Sequence, residues 1–147
     1  MKSDFLVIGS GSAGLSFALK ASRFGNVTLV TKGELVECNT NYAQGGICSV
    51  TYLPDTFEKH IEDTLVCGAG KCDREAVELV VRRAPEMAKD LIEWGVDFDR
   101  TEDGRFDLHR EGGHSEHRIL HHSDLTGAEI ERALIEQVRN NPRITVL

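Results

Sequence analysis

Apolar residues open the chain as a run, Phe5-Leu6-Val7-Ile8, and then spread to helical spacing between Leu15 and Phe24, a stretch without Pro or Gly and rich in Ala, Leu and Lys. The run predicts a short buried strand and the spaced segment a helix. Gly25-Asn26 is expected to end that helix, and the β-branched segment Val27-Thr28-Leu29-Val30-Thr31 to form a second strand. Within Asp55–Val66, residues Phe57, Ile61, Leu65 and Val66 recur near helical spacing, and Gly68-Ala69-Gly70 closes the pattern. Asp73 is placed to cap the next helix. Its apolar face holds Ala76, Val77, Val80, Val81 and Ala84, and resumes with Met87, Leu91, Ile92 and Trp94 before Gly95. Pro85 falls inside this pattern, which predicts a break or kink rather than one long helix. Val96-Asp97-Phe98-Asp99 and Phe106-Asp107-Leu108-His109 alternate on either side of Asp103-Gly104, the pattern of a β-hairpin. Thr126-x-x-Glu129 reads as a capping box. Ile130, Ala133, Leu134 and Val138 then share one helical face, Asn140-Asn141-Pro142 stops it, and Arg143–Leu147 predicts a last strand.

Strand, helix and strand in that order predict an α/β fold that opens a doubly wound parallel sheet. The stretch between Lys32 and the Arg143 strand far exceeds a single crossover. Residues 33–123 are therefore expected to be an α+β insertion between the second and third parallel strands, at their carboxyl ends, where such sheets bind ligands. On this division residues 1–50 and 124–147 belong to a nucleotide-binding domain, and 51–123 form a helical and hairpin insertion within it. A chain that stops on a strand is expected to be the N-terminal piece of a larger enzyme.

Composition narrows the partners. The 147 residues suffice for one domain with a core, and 40% apolar and 28% charged residues are ordinary for a soluble protein. A net charge of −7 with pI near 5.3 argues against nucleic acid or an anionic membrane as the main partner, since both need basic patches. No apolar run approaches the roughly 20 residues of a membrane span, and no secretory signal precedes the first strand, so cytoplasm is the default location. Cys38, Cys48, Cys67 and Cys72 contain no CxxC pair and read as free thiols.

The candidate chemistry begins between the first strand and helix, at Gly9-Ser10-Gly11-Ser12-Ala13-Gly14. In this context a GxGxxG turn binds a dinucleotide. Its first glycine makes the tight turn, the second admits the pyrophosphate to the backbone, and the third lets helix and strand pack closely. The helix N-terminus adds a positive partial charge. At the end of the second strand, where many such folds carry an acid for the ribose, stands Lys32, with Glu34 beyond it. Lys32 suits an NADP 2′-phosphate, another phosphate contact, or a solvated loop position. The following loop is dense in Asn-Thr-Asn-Tyr-Ala-Gln-Gly-Gly (39–46), and a loop this long usually has a function.

The densest polar cluster is His109, Arg110, Glu111, His114, Glu116, His117, Arg118, His121 and His122. His114, His117 and His121 have the spacing of a helical metal set, but Gly112-Gly113 argues for a loop, and no metal is assigned. The preferred reading is a substrate-facing loop. Arg110 or a histidine would meet a carboxylate there, and Glu111 an ammonium group or a neighbouring side chain. No G-x-S-x-G elbow is present, and Cys48 reads as a small core residue rather than a nucleophile.

At GSGSAG, Thr31-Lys32-Gly33, Tyr42-Ala43-Gln44-Gly45-Gly46 and Arg110-Glu111-Gly112-Gly113-His114-Ser115 the chain resembles, along its whole length, the L-aspartate oxidase family of the succinate dehydrogenase and fumarate reductase flavoproteins. The resemblance implies an FAD-binding Rossmann-like fold, incomplete here and without the family's capping and C-terminal helical domains. It implies FAD at Gly9, Ser10, Gly11, Ser12, Ala13 and Gly14. Lys32 then becomes a family trait, and Asn39, Thr40, Asn41, Tyr42, Ala43, Gln44, Gly45 and Gly46 wrap the flavin. Asn39 occupies the position where membrane-bound relatives carry a flavin-linking histidine, which implies non-covalent FAD. Glu111 stands where the dicarboxylate relatives carry an aromatic, and it would favour the α-ammonium of L-aspartate. The implied activity is oxidation of L-aspartate to iminoaspartate with dioxygen or fumarate as acceptor. This is the first step of NAD synthesis through quinolinate, with quinolinate synthase as the functional partner. The family's catalytic arginine and substrate histidine are expected beyond Leu147. The alternatives are a soluble fumarate reductase or succinate dehydrogenase flavoprotein subunit, or a cofactor-binding module without activity of its own.

Overall fold

A computed structural model describes residues 2–147. Strand β1 (Phe5–Ile8), helix α1 (Ser12–Ala21) and strand β2 (Val27–Val30) form the expected βαβ opening. Strand β6 (Ile144–Val146) completes a parallel sheet in the order β1-β2-β6, with Phe5 opposite Val27 and Val27 opposite Ile144. Helix α4 (Thr126–Arg139) lies against α1. The core between these helices and the sheet holds Val7, Leu15, Ala18, Leu19, Val27, Leu29, Ile130, Ala133, Leu134 and Val138.

Strand β1 is buried on one face only. Val7 is buried, but Leu6 is 63% and Ile8 81% exposed, so the apolar run does not mean burial on both sides. The pleat sends alternate side chains to opposite faces, and α1 and α4 account for the covered one. Helix α1 also begins and ends earlier than the apolar pattern suggests. It stops at Ala21, where the Ser22 hydroxyl donates to the Leu19 carbonyl at 2.8 Å, a local bond that competes with helix continuation. Gly25 serves a different end: a Cβ there would sit 2.8 Å from Cβ of Asp4, whose carboxylate accepts from Asn26 N.

Between β2 and β6 the chain makes a 3₁₀ turn (Asn39–Tyr42), strand β3 (Ile47–Cys48), helices α2 (Phe57–Cys67) and α3 (Arg74–Glu93), and strands β4 (Leu108–His109) and β5 (Ile119–Leu120). Thr56 caps α2 by accepting from Lys59 N, and Asp73 caps α3 by accepting from Ala76 N. Helix α3 is unbroken through Pro85. The ring removes one i→i−4 bond. Val81 before it and Ala88 after it are nevertheless both buried, and Leu91 and Ile92 pack on the core. Tertiary packing on both sides holds the helix together.

The hairpin expected at 96–109 is reduced to one bridge, Arg100 with Phe106, closed by hydrogen bonds from Asp107 N to Asp99 O and from Thr101 N to Arg105 O. The sheet that forms instead is antiparallel, in the order β3-β5-β4. The capping box at Thr126 does not form either. Leu125 is the N-cap. The Thr126 hydroxyl accepts from His122 N, and Glu129 accepts from Asp97 N and pairs with Arg132 at 2.7 Å. Both side chains tie α4 to the preceding loops rather than to its own first turn. No helix among the described residues is long and apolar enough to cross a membrane.

Candidate functional site

The glycine turn is built as its spacing requires. Gly9 has φ +105°, and a Cβ on Gly14 would run into the Gly9 carbonyl oxygen, so only glycine lets α1 cross β1 this closely. Gly11 is the N-cap of α1 and brings no side-chain cap, and no acid occupies the first helical turn. No residue of the turn itself therefore caps the helix N-terminus, whose partial positive charge suits an anion. The buried Ser10 hydroxyl lies 3.1 Å from that of Thr31 and ties the turn to the end of β2.

Two grooves meet this turn. One, about 520 Å³, is lined by Gly9, Gly11, Thr31, Lys32, Cys38 and Asn39 among others. Lys32 therefore lies in the same groove as the turn, as a cation beside a phosphate site would. The other, about 410 Å³, is lined by Ser12, Ala13, Thr40, Ala43, Gly46 and Gly127 among others. Where they adjoin, Ser12 N donates to the Thr40 hydroxyl at 3.1 Å, and that hydroxyl lies 3.3 Å from the hydroxyl of Ser12. Residues 39–42 are fixed against the helix start by this clasp. Tyr42, Ala43, Gln44, Gly45 and Gly46 are exposed, and Asn39 with them, whereas Asn41 is half-buried.

Sequence spacing did not single out Gly127. Its N–H donates to the Ala43 carbonyl at 2.9 Å. A Cβ there would strike Thr40 O and come within 2.6 Å of Ala43 O. The 39–43 loop rests directly on the first turn of α4 because this residue has no side chain. The only sequence signal was a glycine at the start of an otherwise good helix.

The second loop arrives from the antiparallel sheet. A Cβ on Gly45 would lie 3.1 Å from Glu111 Oε1, so the Glu111 carboxylate stands beside the 39–46 loop. Gly46 has φ +118°, and a Cβ there would sit 2.5 Å from the Leu120 carbonyl of β5. Arg110 and Glu111 are both exposed. Beyond them, Ser115 N and its hydroxyl both donate to Asp63 Oδ2 at 2.8 Å. Arg118, fully buried, grips Asp55 through Nε and Nη2 at 2.9 and 2.8 Å and reaches Asp63 with Nη1 at 2.6 Å.

The histidines separate. His114 Nε2 lies 3.7 Å from Cys48 Sγ, and its ring meets the His60 ring edge-on at 6.2 Å. The His117 ring contacts the Leu108 carbonyl, and His121 stacks on His109 at 3.6 Å. The helical set His114, His117, His121 does not assemble, because no helix runs through these residues. Burial pushes the Cys48 thiol up, against a smaller opposing effect of Arg118. This disfavours the thiolate a nucleophile needs.

Taken together, the uncapped helix start, the glycine approach and the Lys32 groove fit a dinucleotide with an anionic diphosphate. Comparison with known proteins decides which one, since residues 4–147 match the family model described as FAD binding domain. The chain belongs to the FAD-binding domain family. FAD is its cofactor, which removes the NADP reading of Lys32. Among curated relatives, the FAD-binding domain is 52% identical over 143 residues to the chloroplastic L-aspartate oxidase of Oryza sativa, covering 97% of the chain and 22% of that protein. It is 47% identical over 149 residues to L-aspartate oxidase of Vibrio cholerae, covering 98% and 28%. The chain thus spans about a quarter of the length of these relatives. Among solved structures, E. coli quinol fumarate reductase FrdA superposes with a TM-score of 0.94 at 28% identity, covering 99% of this chain and 26% of that one. Mycobacterium smegmatis Sdh1 superposes with a TM-score of 0.88 at 31% identity, covering 99% and 27%.

Proposed function

We propose that this FAD-binding domain is part of an FAD-dependent L-aspartate oxidase, converting L-aspartate to iminoaspartate and passing the electrons to dioxygen or fumarate. The observation that carries the reading is the Glu111 carboxylate beside Gly45 of the 39–46 loop. It is supported by identity to relatives named L-aspartate oxidase. Bound FAD would supply the hydride acceptor. Gly9 to Gly14 and Lys32 would hold its diphosphate and adenosine side, and Asn39 to Gly46 its flavin side. Asn39 offers no nucleophilic nitrogen, so the flavin would be held without a covalent bond. Glu111 would pair with the substrate α-ammonium and set the Cα–H toward the flavin, a matter of orientation and charge rather than bond making. On the same reading the product feeds NAD synthesis through a quinolinate synthase in the cytoplasm.

The resemblance in shape to fumarate reductase favours a second reading, a dicarboxylate flavoprotein subunit acting on succinate or fumarate. An ammonium-free substrate gives Glu111 nothing to bind. The test is Glu111→Gln in the full enzyme. Aspartate oxidation is expected to fall at least tenfold in kcat/KM, about the value of one lost charge-assisted bond, with fumarate reduction retained. Equal effects on both substrates would reject the role of Glu111, and succinate turnover above aspartate turnover would support the second reading.

A further inference from the structure

His121 is 3% exposed, and neither of its ring nitrogens makes a hydrogen bond of acceptable geometry among the described residues. Buried polar groups are nearly always satisfied; Nδ1 at least faces a carboxylate, and it is Nε2 that lacks a partner. Its surroundings say what kind. Nε2 of His121 lies 3.8 Å from Asp107 Oδ2, and Nε2 of His109 lies 4.0 Å from the same oxygen. Ligand atoms of the three residues all fall within 4.8 Å of one another. On the far side of the ring, His121 Nδ1 is 3.2 Å from Asp99 Oδ2. The topology brings these groups together. Asp99 N donates to the His121 carbonyl and Asp107 N to the Asp99 carbonyl, while β4 and β5 pair His109 with Ile119.

We propose that Asp107, His109 and His121 form a binding site for one divalent transition-metal ion of the Zn²⁺ class, with Asp99 orienting the buried His121 ring from behind. The separations of 3.8 and 4.0 Å from Asp107 Oδ2 are too long for direct hydrogen bonds and a little beyond those of two ligands sharing an ion. Bonds of about 2.1 Å in a tetrahedron set ligand atoms about 3.4 Å apart. Stacked on His121 at 3.6 Å, His109 must turn its ring so that both Nε2 lone pairs meet one ion; it and Asp107 are free to move, with side chains 58% and 47% exposed, while His121 is fixed. Two imidazoles and one carboxylate suit zinc or its neighbours over Mg²⁺ or Ca²⁺, which prefer oxygen alone. A carboxylate on the second nitrogen of a ligating histidine is the usual orienting partner. The site would staple the 99–107 segment to β5 at the base of the Arg110–Ser115 loop. His109 lies in β4, Asp107 immediately before β4 and His121 immediately after β5, so the set differs from the helical one suggested by His114, His117 and His121.

The test uses untagged full polypeptide stripped with chelator, titrated with Zn²⁺ by calorimetry and with Co²⁺ by visible absorption. One Zn²⁺ per chain and tetrahedral Co²⁺ bands are expected. His109→Ala and Asp107→Asn should each weaken binding at least about tenfold, as should Asp99→Asn through the ring it orients. His114→Ala and His117→Ala should leave binding unchanged. His109 is exposed, so its variant is expected to fold, which circular dichroism verifies. Absence of stoichiometric Zn²⁺, or parent-like affinity in His109→Ala, overturns the site, as does a loss confined to the His114 or His117 variants.

Discussion

A methyl group added at Gly11 meets only the Thr40 hydroxyl at 3.4 Å and Cys38 Cβ at 4.0 Å, which are ordinary contacts, whereas at Gly14 it meets the Gly9 carbonyl oxygen. The fold therefore demands the second of these glycines and not the first, and on the proposed reading it is the ligand that requires Gly11. Gly14→Ala is expected to destabilise the apoprotein by about 1–3 kcal/mol, because backbone must move to accept the methyl. Gly11→Ala is expected to leave apoprotein stability within about 1 kcal/mol of the parent, the weaker N-cap offset by a less flexible unfolded chain. It should nonetheless weaken FAD binding, because its methyl projects where the diphosphate approaches. Thermal melts of both apoproteins and titration by quenching of flavin fluorescence separate the cases. Equal melting points, or unchanged flavin affinity in Gly11→Ala, would undo this division of labour.

Among the elements, the connection that matters most for the candidate site runs through Arg118. It joins the segment before α2, through Asp55, and α2 itself, through Asp63, to the loop that carries Glu111. Arg118→Met would leave the Asp55 carboxylate buried without its counter-charge, at a cost of about 3–5 kcal/mol. Replacing Asp55 and Asp63 as well, by residues of similar volume without charge, should recover most of that loss. Urea midpoints at constant m-value measure both steps. A single variant as stable as the parent would show the cluster to be dispensable. None of this was readable along the chain, since Arg118 is far in sequence from both acids. What was readable had a period or a punctuation mark. Phe5–Ile8, Asp73 as a cap and Asn140-Asn141-Pro142 as a stop stand where the pattern put them, while α1 lies a few residues earlier than its pattern suggested. Strands β3, β4 and β5 have two residues each, too short to carry a period, and so the alternation at 96–109 suggested a hairpin in place of the three-stranded sheet. The same limit hid Gly127, whose function depends on a loop that arrives from elsewhere.

For the molecule as a whole, buried and paired acids set how stability follows pH. Burial alone would raise Asp63, but hydrogen bonds from Ser115 and Arg118 outweigh it and hold its carboxyl below the ordinary value. Arg132, aided by the Asp97 N–H, holds Glu129 low against its own burial. Groups lowered by folding give stability that is complete above their unfolded pKa, near 4, and is lost as pH falls through the folded one. Glu131 runs the other way. Burial inside α4 pushes its carboxyl from about 4.5 up to about 7, with the Cys38 thiol partly offsetting the rise. The native state then holds a proton that the unfolded chain releases, so stability declines as pH rises from about 4.5 to about 7 and is level above that. The two trends predict greatest stability in mildly acidic solution rather than at neutrality. Glu131→Gln keeps the shape and removes the titration. It should flatten the decline and make the protein more stable than the parent at pH 8, by an amount on the order of 1–3 kcal/mol, while leaving the acid side unchanged. Denaturant midpoints measured from pH 3 to pH 8 follow both limbs. A parent whose stability stays level between pH 5 and pH 7, or a variant that declines as steeply, would mean that Glu131 is charged and satisfied in the folded chain.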